Sequence, residues 1–376
     1  MPIKLKVART EKELDDVFKL RYDVYVRERG KFSEKRATSD GRIVDHFDAL
    51  PGVANVVAYD GDVAVASFRV NKDSSVGLVP EKYFDFSRER NTIAQSSFGS
   101  DITCIVSCSM LAIRKQWRHQ RNVIFALFKT ATAVMHGWGA THVFGAASAE
   151  TFSLYGRLGV VAVAEAQWVE SVGDSLVPVV GLFDKVFSWA FGQPVSGKGG
   201  FLLDNYSAQY ETILLSPGEV LFHQNDAAEY AYSIEKGGIT LSRQGPGQED
   251  LVLAQLGSGA LFGESAVDDG LRTARATATM NTQVIAIERS YLRAKTLSDP
   301  LQMAQVQRSE KTIERASPVR ALSTGEGQGG RRNLGSSEGL RELEVNSTCG
   351  ELAYGDDMKR FFRAPSRENG ASMSAP

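Results

Sequence analysis

Between residues 210 and 290 the chain never sustains an apolar period long enough for a helix. Short apolar runs are cut by turn signals at Pro217-Gly218, Asn225-Asp226, Gly237, Gly257 and Gly259. Strands of this length, spaced by turns, predict an all-β unit. One stretch of it concentrates chemistry. Leu261-Phe262-Gly263-Glu264-Ser265-Ala266 is followed by Leu271-Arg272-Thr273-Ala274. Glycine and small residues let backbone N–H groups approach an anion closely. An arginine there can hold a phosphate, and a carboxylate can accept from a hydroxyl. A cyclic nucleotide carries both a phosphate anion and a free ribose hydroxyl. Gly263, Glu264, Ser265, Arg272, Thr273 and Ala274 are therefore the candidate nucleotide-binding residues.

The surrounding sequence resembles the cyclic-nucleotide-binding domain family. Pro217-Gly218-Glu219-Val220-Leu221-Phe222 looks like the family's opening strand. Tyr232 to Gly237 matches the next strand and turn, and Val284 to Arg289 the last strand, with a helix expected from Tyr291. The resemblance implies a β-roll (jelly-roll) with flanking helices. It gives Glu264 the ribose, Arg272 the phosphate and Thr273 an additional hydroxyl contact, with cyclic AMP or cyclic GMP as regulatory ligand. Two departures stand out. The gap from Glu264 to Arg272 is one residue shorter than usual, and Leu271 replaces a proline. Arg275 is thus a rival for the phosphate, although the register counted back from Ile287-Glu288-Arg289 favours Arg272.

Residues 1–190 read differently. Strands are expected at Ile3–Ala8, Val53–Tyr59, Val63–Val70, Ile102–Ile113, His142–Ala146, Val160–Val169 and Leu176–Phe183. Asp60-Gly61-Asp62 marks a hairpin between the second and third. Helices are expected at Glu11–Arg27, where Leu14, Val17, Phe18, Tyr22 and Tyr25 recur at helical spacing, and at Asn122–Met135 and Glu150–Leu158. The order is that of a mixed α/β domain.

That order, with Leu154-Tyr155-Gly156-Arg157-Leu158-Gly159-Val160, resembles the GNAT acyltransferase fold. The resemblance implies that Tyr155 faces a departing thiolate as general acid, against the plain alternative of a core tyrosine. The usual glycine-rich donor loop is replaced by Arg118-His119-Gln120-Arg121-Asn122-Val123. Arg118 and Arg121 are therefore candidates for a phosphopantetheine phosphate or for the acidic face of an acyl carrier protein. Leu20-Arg21-Tyr22-Asp23-Val24-Tyr25, Asp45-His46-Phe47-Asp48 and Arg69 are similar to the autoinducer-synthase and N-acyl amino acid synthase branch. Against that branch, Ile43, Ser107-Cys108-Ser109-Met110 and Lys31-Phe32 replace expected residues, which disfavours S-adenosylmethionine and leaves an amino acid amine as acceptor. Arg21, Asp45, Asp48 and Arg69 are the candidate catalytic residues. Asp45 or Asp48 would act as base, with ion pairing to Arg21 and Arg69 as the alternative or companion role.

A net charge of −2 gives no footprint for nucleic acid. Cys104, Cys108 and Cys349 make no disulfide framework and favour a reducing compartment. No signal peptide is evident, and the apolar stretch Leu176–Phe191 is interrupted by Asp184-Lys185, so no transmembrane segment and a cytoplasmic location are expected. Without histidines at ligand spacing, no metal site is expected. Gly192-Gln-Pro-Val-Ser-Gly197-Lys198-Gly199 nearly spells a phosphate loop but reads as a flexible joint. The expected organisation is α/β plus β: a GNAT-like acyltransferase domain over 1–190, a linker over 191–209, a cyclic-nucleotide-binding domain over 210–315 and a disordered tail over 316–376. The expected activity is a cyclic-nucleotide-regulated transfer of an acyl group, from acyl carrier protein or acyl-CoA, to a small-molecule amine. The alternatives are a cyclic-nucleotide-dependent protein lysine acetyltransferase and a non-catalytic nucleotide sensor.

Overall fold

The computed structural model describes residues 1–32, 37–96, 103–192, 211–244, 250–263 and 270–288. The chain opens with β1 (Ile3–Val7) and α1 (Glu11–Tyr22). Thr10 starts α1 with a reciprocal cap. Its hydroxyl accepts the Glu13 N–H at 3.2 Å, and the Glu13 carboxylate accepts the Thr10 N–H at 3.1 Å. The expected helix to Arg27 is present in two parts, because after Tyr22 it widens into a π-helical turn, Asp23–Glu28. A hairpin follows, β2 (Val53–Asp60) and β3 (Val63–Lys72), turning at Gly61 with φ +58°.

Next come α2 (Ser87–Ser96), β4 (Ile105–Ile113), α3 (Arg121–Gly137) and β5 (His142–Ser148). β4 lies antiparallel to β3 and parallel to β5, and α3 makes the crossover that parallel strands require. α2 was not foreseen: it buries no residue and so leaves no apolar period to read. The expected helix Glu150–Leu158 is reduced to α4 (Phe152–Tyr155) and a 3₁₀ turn, Gly156–Leu158.

The expected strand Val160–Val169 is split into β6 (Val160–Ala162) and β7 (Gln167–Val169), both paired with β8 (Asp174–Leu182). The apolar stretch ending at Phe191 becomes β8 followed by α5 (Phe183–Phe191). Among the described residues no helix is long and apolar enough to cross a membrane.

The remaining strands are β9 (Glu211–Leu215), β10 (Val220–Phe222), β11 (Tyr230–Lys236), β12 (Gly238–Gln244), β13 (Asp250–Gly257), β14 (Leu261–Phe262), β15 (Arg275–Ala278) and β16 (Thr282–Glu288). They enclose a core of Ile213, Phe222, Tyr232, Ile234, Leu241, Phe262, Ala276 and Val284. One wall is the sheet β10-β15-β12-β13. The other, β14-β11-β16-β9, does not end at β9 but continues as β1-β2-β3-β4-β5-β8-β6.

The joint is an antiparallel pairing of β1 with β9, Ile3↔Leu214, Lys4↔Ile213 and Leu5↔Thr212, flanked by a Lys6–Glu211 ion pair at 2.8 Å. The sequence suggested two domains joined by a linker over 191–209. Residues 193–210 lie outside the described residues, and what the described residues show is one sheet running through both. The expected tail (316–376) and the helix after Tyr291 also fall outside them.

Candidate functional site

The first site is built where α1, β3 and β4 meet. Arg21 lies in the last turn of α1 with its side chain fully buried, although a charged side chain there is costly without partners. Arg69 on β3 is equally buried. Two carboxylates answer them from a 3₁₀ turn, His46–Ala49, whose N-cap is Asp45. Asp48 accepts from Arg21 Nη1 with both oxygens at 3.0 Å and lies 2.8 Å from Arg69 Nη1. Asp45 accepts from Arg69 Nη1 at 2.7 Å and Nη2 at 3.2 Å.

Burial alone would raise the pKa of Asp45, but the hydrogen bond and charge of Arg69 hold it below the usual range. Burial likewise acts to lower Arg69, and Asp45 and Asp48 outweigh it and raise it. For Arg21 burial prevails and the pKa falls. Asn55 and Ser109 complete the shell, Asn55 accepting from Arg21 Nη2 at 2.5 Å and Ser109 from Arg69 Nε at 3.0 Å. Neither was picked out from sequence. Asn55 sits opposite Arg69 in the β2–β3 register, a signal that exists only once the hairpin is aligned.

Ser109 also marks an opening. The β4–β5 ladder runs from Ile105↔His142 to Cys108↔Gly145 and stops, although β4 continues to Ile113 and β5 to Ser148. Immediately beyond, β4 carries an extra residue relative to β3, between Arg69↔Ser109 and Ser67↔Ala112, with Met110 at φ +54°. Arg114 N–H donates to Val65 on β3. The alternate positions Ile113 and Leu111 therefore turn the other way, into the gap. There Tyr25 Oη donates to the Leu111 carbonyl at 2.8 Å and Arg118 Nε to the Ile113 carbonyl at 3.0 Å.

Tyr155 packs beside this gap, its ring centroid 6.1 Å from that of Phe128, with Cys108 close enough to influence its ionisation. Burial pushes Tyr155 and Cys108 each up to about 12. Arg118 is also ion-paired with Glu28, and Arg121 opens α3. Cys104 and Cys108 are free thiols packed with the first domain's core. Among the described residues no cluster of metal-ligating side chains occurs.

The second site lies in the roll. Arg272 is 3% exposed and points inward. Its guanidinium donates to the carbonyls of Tyr230 at 2.7 Å and Gly263 at 3.2 Å and lies 4.2 Å from the Phe222 ring centroid. Burial lowers its pKa, and its Nε is buried without a hydrogen-bond partner. No carboxylate pairs with it among the described residues, although the charge of Asp226 acts on it, so the buried cation lacks a directly bonded counter-charge.

Gly263 has φ +79°, and a Cβ at that position would stand 2.8 Å from Arg272 Nη1. Ala274 shares the inward face, whereas Thr273 is exposed. The rival Arg275 is directed to Asp250 at 2.5 Å. Glu264 and Ser265 lie outside the described residues.

Residues 16–180 match the family model described as N-acyl amino acid synthase FeeM, and residues 212–299 match the cyclic nucleotide-binding domain model. A curated relative, the cyclic AMP receptor protein of Thermus thermophilus, is 36% identical over 81 residues, 21% of this chain. The match spans 38% of that relative's length. Among solved structures, FeeM, an N-acyl amino acid synthase from uncultured soil microbes, aligns with a TM-score of 0.41 and 13% identity, covering 51% of this chain and 98% of that one. The Thermus thermophilus catabolite activator protein aligns with a TM-score of 0.30 and 26% identity, covering 35% and 60%. The chain thus resembles, in its first part, the N-acyl amino acid synthase FeeM family and, in its later part, the cyclic nucleotide-binding domain family.

Proposed function

We propose that the chain moves an acyl group from acyl carrier protein or acyl-CoA to the amine of an amino acid, under control of a cyclic nucleotide bound at Arg272. The observation that carries the reading is the junction at Ser109. There a buried Arg–Asp cluster touches the strand on which the β4–β5 ladder opens. A thioester in that opening meets the N–H groups of Leu111 and Ile113, which face the same way as their carbonyls and polarise the acyl oxygen.

Asp45 is the more exposed of the two carboxylates, at 11% against 2% for Asp48. Held below its usual pKa, it is a weak base and a good anchor. It holds the acceptor's ammonium and relays the proton to water. The free amine attacks the thioester carbon, the attacking nitrogen gives up its second proton to water, the C–S bond breaks, and the thiolate leaves. Tyr155, protonated far above neutral pH, stabilises that thiolate by hydrogen bonding. Arg118 and Arg121, at the entrance to α3, meet the carrier's phosphate. Glu264, Ser265 and Gly263 would surround the nucleotide with Arg272.

The test is incubation of the full chain with acyl carrier protein or coenzyme A thioesters of several chain lengths and an amino acid mixture, with and without cyclic AMP or cyclic GMP, read by mass spectrometry. N-acyl amino acids whose yield responds to nucleotide are expected. Acetyl transfer only to peptide lysines, or no product from any donor, would refute the reading.

A further inference from the structure

The two candidate sites are joined by a shared wall. Side chains of β11 alternate from Tyr230 to Ile234, and a bulge follows at Glu235. Tyr230, Tyr232 and Ile234 face the roll, where Arg272 donates to the Tyr230 carbonyl. Ala231 and Glu235 face the other way. Ala231 packs with Ile285 and Ile287 of β16 against Ala133 of α3, and Glu235 is ion-paired with Lys129 of α3. Lys129 and Glu235 are 13% and 15% exposed, and Lys129 Nζ lies 4.9 Å from the centroid of Phe191, the last residue of α5. The same helix begins at Arg121, beside Arg118 and the opening in β4. One strand therefore has the nucleotide-facing arginine on its front and the acyl-site helix on its back.

We propose that α3 is the element through which the two sites sense each other, with the Ala133–Ala231 contact and the Lys129–Glu235 pair as its coupling contacts. This rests on the regulated-acyltransferase reading above and specifies its wiring. A phosphate that engages Arg272 competes with the Tyr230 and Gly263 carbonyls for its N–H donors. β11 then resettles, and α3 follows because alanine against alanine leaves no slack and the ion pair ties the two together. By reciprocity, an acyl donor bound at the start of α3 changes nucleotide affinity by the same factor that the nucleotide changes donor affinity.

The experiment uses the full chain with cyclic AMP and cyclic GMP as probes. Calorimetry measures binding, and hydrogen exchange follows peptides from 121–137 and 211–288. Binding that alters exchange in 121–137 is expected. Lys129→Gln and Glu235→Gln should confine the change to 211–288 while leaving nucleotide affinity within about twofold, and the exchanged pair Lys129→Glu with Glu235→Lys should restore it. Coupling of donor and nucleotide affinities should fall from on the order of fivefold or more to none in the single variants. Nucleotide binding with no response in 121–137, or single variants that respond as wild type, overturns the proposal alone. Failure of both nucleotides to bind overturns the regulated-enzyme reading and this inference with it.

Discussion

Asp48→Asn tests whether the Arg–Asp cluster is a true buried ion network. Two guanidiniums with fully buried side chains, Arg21 and Arg69, are balanced by Asp45 and Asp48. Asp48 is the bridge, because it contacts both arginines and also accepts the Asp45 N–H at 3.0 Å. Replacing it with the isosteric amide keeps the shape and leaves one buried positive charge uncompensated. Breaking a buried pair in this way costs about 3–5 kcal/mol. Urea unfolding of wild type and variant should show that loss at neutral pH. Removing both partners as Arg21→Met with Asp48→Leu leaves the neutral Arg69–Asp45 pair, and should recover stability to within about 1–2 kcal/mol of wild type. Acyl transfer should be lost in both variants, because Asp48 also accepts the Asp45 N–H and so helps hold Asp45, and its absence from a restabilised double variant separates folding from chemistry. A cost below about 1 kcal/mol for Asp48→Asn would mean the cluster is hydrated, and the reasoning would fail.

Arg272→Gln should weaken cyclic-nucleotide binding by about 2–5 kcal/mol, on the order of thirtyfold or more, and equal calorimetric affinities would remove Arg272 from the phosphate. Gly263→Ala should weaken binding as well and lower stability, since φ +79° disfavours a side chain and its Cβ would stand 2.8 Å from Arg272 Nη1. Tyr155→Phe should lower kcat by on the order of 10²-fold with an unchanged KM for the acyl donor, and an unchanged kcat would assign Tyr155 to packing. Glu13 is pushed up by burial, but the Arg9 and Thr10 N–H groups and Lys6 more than offset this, to about 2. A folded pKa below the unfolded value stabilises at higher pH. The Glu13 contribution should therefore be complete above about pH 4.5 and vanish as pH falls towards 2, and Glu13→Gln should flatten acid unfolding across that window.

Local chemistry made much of this legible. The Asp60-Gly61-Asp62 turn needed a residue comfortable at positive φ, and Gly61 provides it. The strand register back from Ile287 set Arg272 rather than Arg275 inside the roll, and Arg275 instead meets Asp250. The arginine and carboxylate motifs at Arg21, Asp45, Asp48 and Arg69 converge as one cluster. What escaped reading depends on partners distant in sequence. Nothing in Ile3–Val7 or Glu211–Leu215 announces that each is the other's neighbour, because an edge strand's partner is chosen by tertiary packing. Asn55 and Ser109 are ordinary strand residues until the register brings them to guanidinium groups. The break between β6 and β7 falls at residues 163–166 of a stretch whose only polar side chains are Glu165 and Gln167, and there the Val163 N–H still donates to the Pro178 carbonyl.

The β1–β9 pairing also bears on how the chain is made. During synthesis β1 leaves the ribosome long before β9 exists. Until Glu211–Leu215 arrives, one side of Ile3–Val7 offers unpaired backbone groups, a template for strands of neighbouring nascent chains. The first domain expressed alone keeps that exposed edge permanently, so it should be harder to recover from aggregation than the full chain, whatever its intrinsic stability.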